Sequence, residues 1–360
     1  MKPSTFLPLL LFLIPVVFTA QEVKYYDVQH FTLGGQASPA SGTYQRFASQ
    51  DMEGLPQRVQ ELSQNSAGIY LDFHTDSPNI NLRWEVDQYR SLKNLTSIAI
   101  NGFDLYAKNG ETWQFVGVAV PQDKHSTANI LKNGDGQMRQ YRLHFPLYTG
   151  LVNLEIGINP DSNLLQERET EASKKILIYG SSITQGASAS RPGMAFPSLL
   201  SRMLNVEVLN FGFSGSGKME AEVAEVLSTI PSDLIVLDCV PNPSPQEISQ
   251  RTVPFVKRLR QSQPATPIVM VESVFRELAH WNMQLAQQVA AQNRAFKEAY
   301  QELKAEGMEQ LYYVTSEGHI GSDHEGTIDG THFSDLGHFR MAEKLAPILS
   351  DILNDESFQP

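Results

Sequence analysis

Residues 174–186 read KKILIYGSSITQG. Two lysines lead into four consecutive apolar residues, Ile176 to Tyr179. The run then stops at Gly180 and passes into two serines and a polar turn. An apolar run this short, with no polar alternation, suits a strand covered on both faces, as in a parallel sheet. The rhythm recurs in VEVLNFG (206–212), DLIVLDCV (233–240), TPIVMVES (266–273) and QLYYVTS (310–316). Helix-like stretches alternate with these runs, at 195–204, 218–230, 245–261, 282–307 and 334–353. Alternation of this kind predicts a doubly wound parallel α/β sheet across 174–358.

Upstream the pattern changes. GIYLDFHTD (68–76), NINLRWEVD (79–87), TSIAINGFDLYAKNG (96–110), TWQFVGVAV (112–120), QYRLHFPLY (140–148) and VNLEIGIN (152–159) alternate apolar and polar residues and are separated by turn-formers. Short alternating strands predict an all-β sandwich over 21–160. A polar, charged stretch at 161–173 reads as the linker between the two domains. Residues 1–20 carry one lysine and then an apolar run from Phe6 to Ala20, the pattern of a secretory signal peptide. An exported protein, periplasmic or extracellular, with no membrane span once processed, is the expectation.

The chain has 360 residues, 41% of them hydrophobic, and a formal net charge of −12. That acidic balance argues against nucleic acid as a partner, because phosphate backbones are held by clustered lysine and arginine. The single cysteine, Cys239, excludes an intrachain disulfide and reads as a small buried hydrophobe. Nothing here sets the oligomeric state.

Ligands of doubly wound sheets bind beyond the carboxyl ends of the strands. The first strand runs into Ser182, the second into the Gly215 turn and the third into Asn242. The loop after the fifth, SEGHIGSDHEGTIDGTH (316–332), carries Asp329 and His332. This set contains what acyl transfer needs. A serine hydroxyl needs a base to take its proton, and imidazole is such a base near neutrality. A carboxylate must hold the ring in its working tautomer. Donors must meet the oxyanion, and the N–H groups of Ser182 and Gly215 with the Asn242 amide are candidates.

The order of these blocks resembles the SGNH (GDSL-type) hydrolases. GSSITQG matches their first block, NFGFSGS the second, DCVPN the third and DGTHFSDLGH the last. The resemblance implies a flavodoxin-like catalytic domain with Ser182 as nucleophile, Asp329 and His332 completing the triad, and no cofactor. Ser181 stands where the family usually has aspartate, which makes it a rival nucleophile and, with His324, a candidate for substrate contact. Prolines on both sides of Asn242 put the aim of its amide in question. GFDLY at 102–106 is similar to the G-x-D-L-Y segment of a jelly-roll-like sandwich that precedes a subgroup of secreted bacterial members, many of which remove acetyl groups from carbohydrates. The partner implied is an acylated small molecule or an oligo- or polysaccharide, with lipase, acylhydrolase or thioesterase action as the alternative on the same triad. Trp84, Trp113 and Tyr106 are candidates for glycan contact, although core packing is the plainer role for each.

Three rival readings are weaker. Gly212, Gly217 and Lys218 fit the G-x-x-x-x-G-K phosphate loop, with Asp238 ending a hydrophobic strand as in ATPases. Met219, however, stands where that motif needs a magnesium-binding serine or threonine. Four histidines between His319 and His338, with Asp323, Glu325 and Asp329, are metal-ligand types, but their spacing matches no zinc motif, so no metal is expected. A non-catalytic glycan-binding protein would need a vestigial triad, yet all five positions are filled.

Overall fold

The computed structural model describes residues 22–38, 43–166 and 174–355. The expected signal peptide and most of the expected linker lie outside them. Among the described residues, nine strands precede residue 167. They are Lys24–Asp27 (β1), Tyr70–Thr75 (β2), Ile80–Val86 (β3), Phe103–Asn109 (β4), Thr112–Ala119 (β5), His125–Leu131 (β6), Arg139–His144 (β7), Leu151–Ile158 (β8) and Leu164–Gln166 (β9). They form two antiparallel sheets, ordered β1-β8-β3-β6 and β5-β4-β7-β2-β9. Alternate residues of both sheets, among them Leu71, Phe73, Leu82, Trp84, Phe103, Leu143 and Ile156, meet in one core. Inward and outward faces alternate because the strand repeat is two residues.

Two short helices, Gln57–Ser63 (α1) and Ser97–Asn101 (α2), interrupt this domain. The second corrects the expectation of a continuous strand over 96–110. The Thr96 hydroxyl accepts the Ala99 N–H and caps a turn of helix, and the strand begins only after Gly102.

The sheet of the second half comprises Lys175–Gly180 (β10), Glu207–Gly212 (β11), Leu234–Asp238 (β12), Ile268–Val271 (β13) and Leu311–Val314 (β14). All neighbouring pairs are parallel. The order β11-β10-β12-β13-β14 is the flavodoxin-like one, and the direction of winding reverses between β10 and β12. Ile176 and Ile178 face Phe196–Leu204 (α4) and Asp335–Asn354 (α8). Leu177 and Tyr179 face Ala221–Ser228 (α5), Pro245–Ser262 (α6) and Met283–Ala305 (α7). A four-residue helix, Ser182–Gln185 (α3), follows β10 directly. Among the described residues no helix is long and apolar enough to cross a membrane.

The domain boundary at 160 does not separate the two cores. Phe47, Leu55, Val59 and Leu62 belong to the core of the α/β sheet. Phe47 stacks on Phe211 at 4.5 Å. Beside it Arg46 is fully buried, and burial lowers its guanidinium to about 9. Its nitrogens donate to the carbonyls of Leu62, Asn210 and Gly212, and its charge lies 4.7 Å over the Phe213 ring.

The GFDLY segment supplies a second joint. Asp104 is fully buried on β4 and accepts the Gly193 N–H at 2.9 and 3.1 Å. Arg191 pairs with it at 3.1 Å and also donates to the Tyr106 hydroxyl at 3.2 Å. Burial raises the Asp104 carboxyl to about 6 against the pull of Arg202, the Gly193 N–H and Arg191. Tyr106 and Trp84 are buried, which makes them core residues rather than glycan contacts.

Candidate active site

The parallel register places Gly180 beside Gly212 on one side and Asp238 on the other. Three strand ends therefore open at one point, the reversal in winding. Ser181 caps α3, its hydroxyl accepting the Ile183 N–H at 3.2 Å. It is fully buried, which corrects its candidacy as a rival nucleophile or substrate contact. Ser182 is the first residue of the helix and is only partly buried.

Its hydroxyl lies 3.1 Å from His332 Nε2. On the other side of the ring, Nδ1 lies 2.8 Å from Asp329 Oδ2. Asp329 Oδ1 accepts the N–H groups of His332, at 2.8 Å, and Thr331, at 3.0 Å. The D-x-x-H spacing thus closes a tight turn on its own carboxylate. Partial burial pushes the Asp329 carboxyl up, but the hydrogen bonds from His332 and Thr331 outweigh it and hold it below the usual aspartate value. It stays ionised, as a carboxylate that must steady an imidazolium needs to be.

A residue from the sandwich side joins this line. Asn94 Nδ2 lies 3.3 Å from Asp329 Oδ2 and 3.3 Å from His332 Nδ1. Its segment is fastened nearby, where Thr96 donates to Ser190 O at 2.5 Å and Ser190 in turn donates to Asp335. No sequence signal pointed to Asn94, because its partners lie more than 230 positions away in the chain.

The residues just after Ser182 brace the other strand ends. Thr184 donates to buried Asp238 at 2.6 Å, while the Asn210 amide donates to Thr184 O. Burial raises Asp238 to about 7. Its carboxyl is closed off from solvent and occupied by the Thr184 hydroxyl. Gln185 accepts the Ser214 N–H at 2.9 Å and donates to Asn65 and to Leu147 O across the domain joint.

Gly215 takes a φ of +69°, and nothing lies within 4 Å of the place a Cβ would occupy. The positive φ, not crowding, is what favours glycine at this position. Gly217 also has positive φ, but it abuts the Gly180 carbonyl. Lys218 does not begin a helix; α5 starts at Ala221. Asn242 departs from the expectation of a free oxyanion donor. Its amide donates to the carbonyls of Phe213, at 3.2 Å, and Ser216. It grips the Gly215 turn from both sides.

The histidine-rich stretch disperses. His319 and His338 are buried, and burial lowers each to about 4. His338 accepts the Phe196 N–H and lies 3.1 Å from Ala187 O. Asp323 is paired with Arg340. His324 is exposed and meets Glu277 at 2.9 Å. Cys239 is a buried free thiol, as expected.

A family model described as the GDSL-like lipase/acylhydrolase family matches residues 173–350, and one described as the N-terminus of SGNH-hydrolase-type esterases matches 23–164. A crystal structure described as that of a GDSL-like lipase from Bacteroides ovatus ATCC 8483 is 42% identical. It covers 92% of this chain and 98% of its own, with a TM-score of 0.89. The chain belongs to the GDSL-like lipase/acylhydrolase family. It is an enzyme with esterase or acylhydrolase activity. More distant members of the fold include a salicylyl-acyltransferase from a tetracycline biosynthetic pathway, at 18% identity, 95% and 100% coverage and a TM-score of 0.73. A family two carbohydrate esterase from Cellvibrio japonicus stands at 13%, 93% and 99%, and 0.60. No curated protein sequence matches the chain.

Proposed function

We propose that the chain is an exported serine esterase that removes short acyl groups, acetyl above all, from carbohydrates through an acyl-enzyme on Ser182. The observation that carries this reading is the unbroken line from Asp329 through His332 to the Ser182 hydroxyl, at 2.8 and 3.1 Å. In the proposed reaction, Ser182 Oγ attacks the ester carbonyl while His332 Nε2 takes its proton. The tetrahedral oxyanion is met by the N–H groups of Ser182 and Gly215, with Asn242 fixing the turn that carries Gly215. Collapse breaks the bond to the sugar oxygen, which takes the proton from His332 and departs as a hydroxyl. Water activated by the same imidazole then releases the acyl group and frees Ser182.

Two features favour a sugar ester. Structures of this fold include proteins described as carbohydrate esterases. Trp281, whose backbone N–H donates to Leu278 O, is 92% exposed, and the Leu278 backbone N–H in turn donates to the carbonyl of Gly330 in the DGTH turn. An exposed indole at this rim offers a flat face to a sugar ring. A second reading, acyl transfer to an acceptor other than water, is favoured by the fold shared with the acyltransferase.

The test is labelling with a fluorophosphonate, with the adduct located by mass spectrometry, followed by turnover of acetylated oligosaccharides and of nitrophenyl esters of increasing chain length. The adduct is expected on Ser182, and acetyl esters should turn over fastest. Labelling elsewhere removes the mechanism, and faster octanoyl turnover removes the short-acyl assignment. Faster acyl release on adding an alcohol, with ester product in excess of free acid, would favour the transferase.

A further inference from the structure

Outside the triad, one group of side chains is arranged as a metal site. Glu277 and His280 lie on a single turn of 3-10 helix, Glu277–His280, and His324 comes from the loop that leads to the triad. At three residues per turn, positions i and i+3 of a 3-10 helix share a face. The Glu277 carboxylate and the His280 ring therefore point the same way. His324 Nδ1 is 2.9 Å from Glu277 Oε2, His280 Nε2 is 3.8 Å from the same oxygen, and the three ligating atoms all lie within 4.8 Å of one another. A tetrahedral ion with bonds of about 2.0–2.1 Å sets its ligand atoms roughly 3.3 Å apart. The two shorter distances bracket that edge, and a modest turn of an exposed imidazole closes the third.

The surroundings hold these groups in place. His324 has a φ of +66°, a conformation that costs a residue with a Cβ and that aims its ring at Glu277. The residue before it is fastened by two contacts to Arg340, at 2.7 and 2.8 Å. The Phe275 ring backs His280 at 4.8 Å. One face stays open, because the His280 and His324 side chains are 44% and 63% exposed.

We propose that Glu277, His280 and His324 bind a zinc-type divalent cation. Two imidazoles and one carboxylate suit zinc, nickel or copper, whereas calcium and magnesium prefer all-oxygen sets. The bound ion would tie the 277–280 turn to the triad-bearing loop. Leu278, within that turn, donates to the carbonyl of Gly330, next to Asp329. The site is separate from the triad, so it supplies no nucleophile. Its effect is to stiffen one wall of the active site.

The experiment is titration of the full, chelator-stripped protein with zinc by calorimetry and with cobalt by visible absorption. His280→Ala, His324→Ala and His332→Ala variants are measured alongside the wild type. One equivalent should bind the wild type with the intense visible bands of tetrahedral cobalt. His280→Ala and His324→Ala should each weaken binding by roughly 10-fold or more, and His332→Ala should leave it unchanged. Absence of binding to the wild type overturns the proposal. So does wild-type affinity in both the His280 and His324 variants. Loss confined to His332→Ala also overturns it, because the ion would then belong to the triad.

Discussion

Asn94, contributed by the sandwich side of the chain, sets its amide 3.3 Å from Asp329 Oδ2, the same oxygen that lies 2.8 Å from the His332 ring. Asp329 is therefore held by groups from both domains. A hydrogen bond to a charged acceptor contributes about 1.5–3 kcal/mol. Asn94→Ala should lower kcat by roughly 10- to 150-fold with little change in KM. Asn94→Asp would set a second carboxylate beside the imidazole, stabilise its protonated form, and move the acid limb of the pH–rate profile to higher pH. Full activity and an unchanged profile in both variants would show that the contact is idle.

Asn242 holds the Gly215 turn by two carbonyls, so its removal should act on the transition state through the donor that the turn presents. Loss of an oxyanion donor costs about 10²–10³ in kcat. Asn242→Ala is expected to approach that loss at nearly constant KM, and to lower Tm as well, because the two bonds that tie the turn at Phe213 and Ser216 are lost. Asp329→Asn should instead alter the pH dependence, by disturbing the tautomer and charge of His332. A large kcat loss in Asn242→Ala with unchanged Tm would mean that the amide meets the oxyanion directly.

Asp238 is a buried carboxyl whose native value, about 7, lies well above the ~3.9 of an unfolded aspartate. The folded state thus holds this proton more tightly than the unfolded state does. The stability it contributes is complete below pH ~4 and is lost as pH rises through about 7. An asparagine in its place would keep an acceptor for the Thr184 hydroxyl and cannot ionise. Thermal melts should therefore show Asp238→Asn gaining on the wild type as pH rises from 4 to 7, with the gap constant above that range. Asp104, shifted in the same direction, titrates in both proteins and cancels. A gap independent of pH would disprove the assignment.

Asp104→Ala removes the acceptor of the Gly193 N–H and the partner of Arg191 at the domain joint. A buried donor and a partly buried cation would be left unpaired, at a cost of about 3 kcal/mol. Asp104→Asn, which keeps an acceptor for Gly193, should lose less. Denaturant melts that place the two variants together would show that the loss lies in the carboxylate charge and not in the acceptor for Gly193.

The α/β half was legible because its strands are short apolar runs, four of which lead to a residue that the chemistry needs. All five runs became strands, and Ser182, Asp329 and His332 came into line. The sandwich was read less completely. His125–Leu131 and Leu164–Gln166 lack a strong alternating pattern and pair only because neighbouring strands offer an edge. TSIAIN looked like a strand because it is β-branched, and a threonine cap turned it into helix. Asn94, Glu277 and His280 were invisible for a different reason: each matters through a partner distant in sequence, and no local spacing encodes that. Asn242 was seen, but the direction of its amide depends on carbonyls that only the folded turn brings near.

The Arg46 guanidinium, sealed beneath the first strands of the α/β sheet, makes the two halves a single unit for purposes of gene architecture. A catalytic fragment beginning near residue 174 would leave the carbonyls of Asn210 and Gly212 without their donor and the Phe211 ring facing solvent where Phe47 had covered it. Such a fragment should be recovered as aggregate when expressed alone and should become soluble when the 22–166 piece is supplied in trans. The sandwich would then be inherited as an intramolecular folding partner, one that recombination cannot trade for another module without breaking the enzyme.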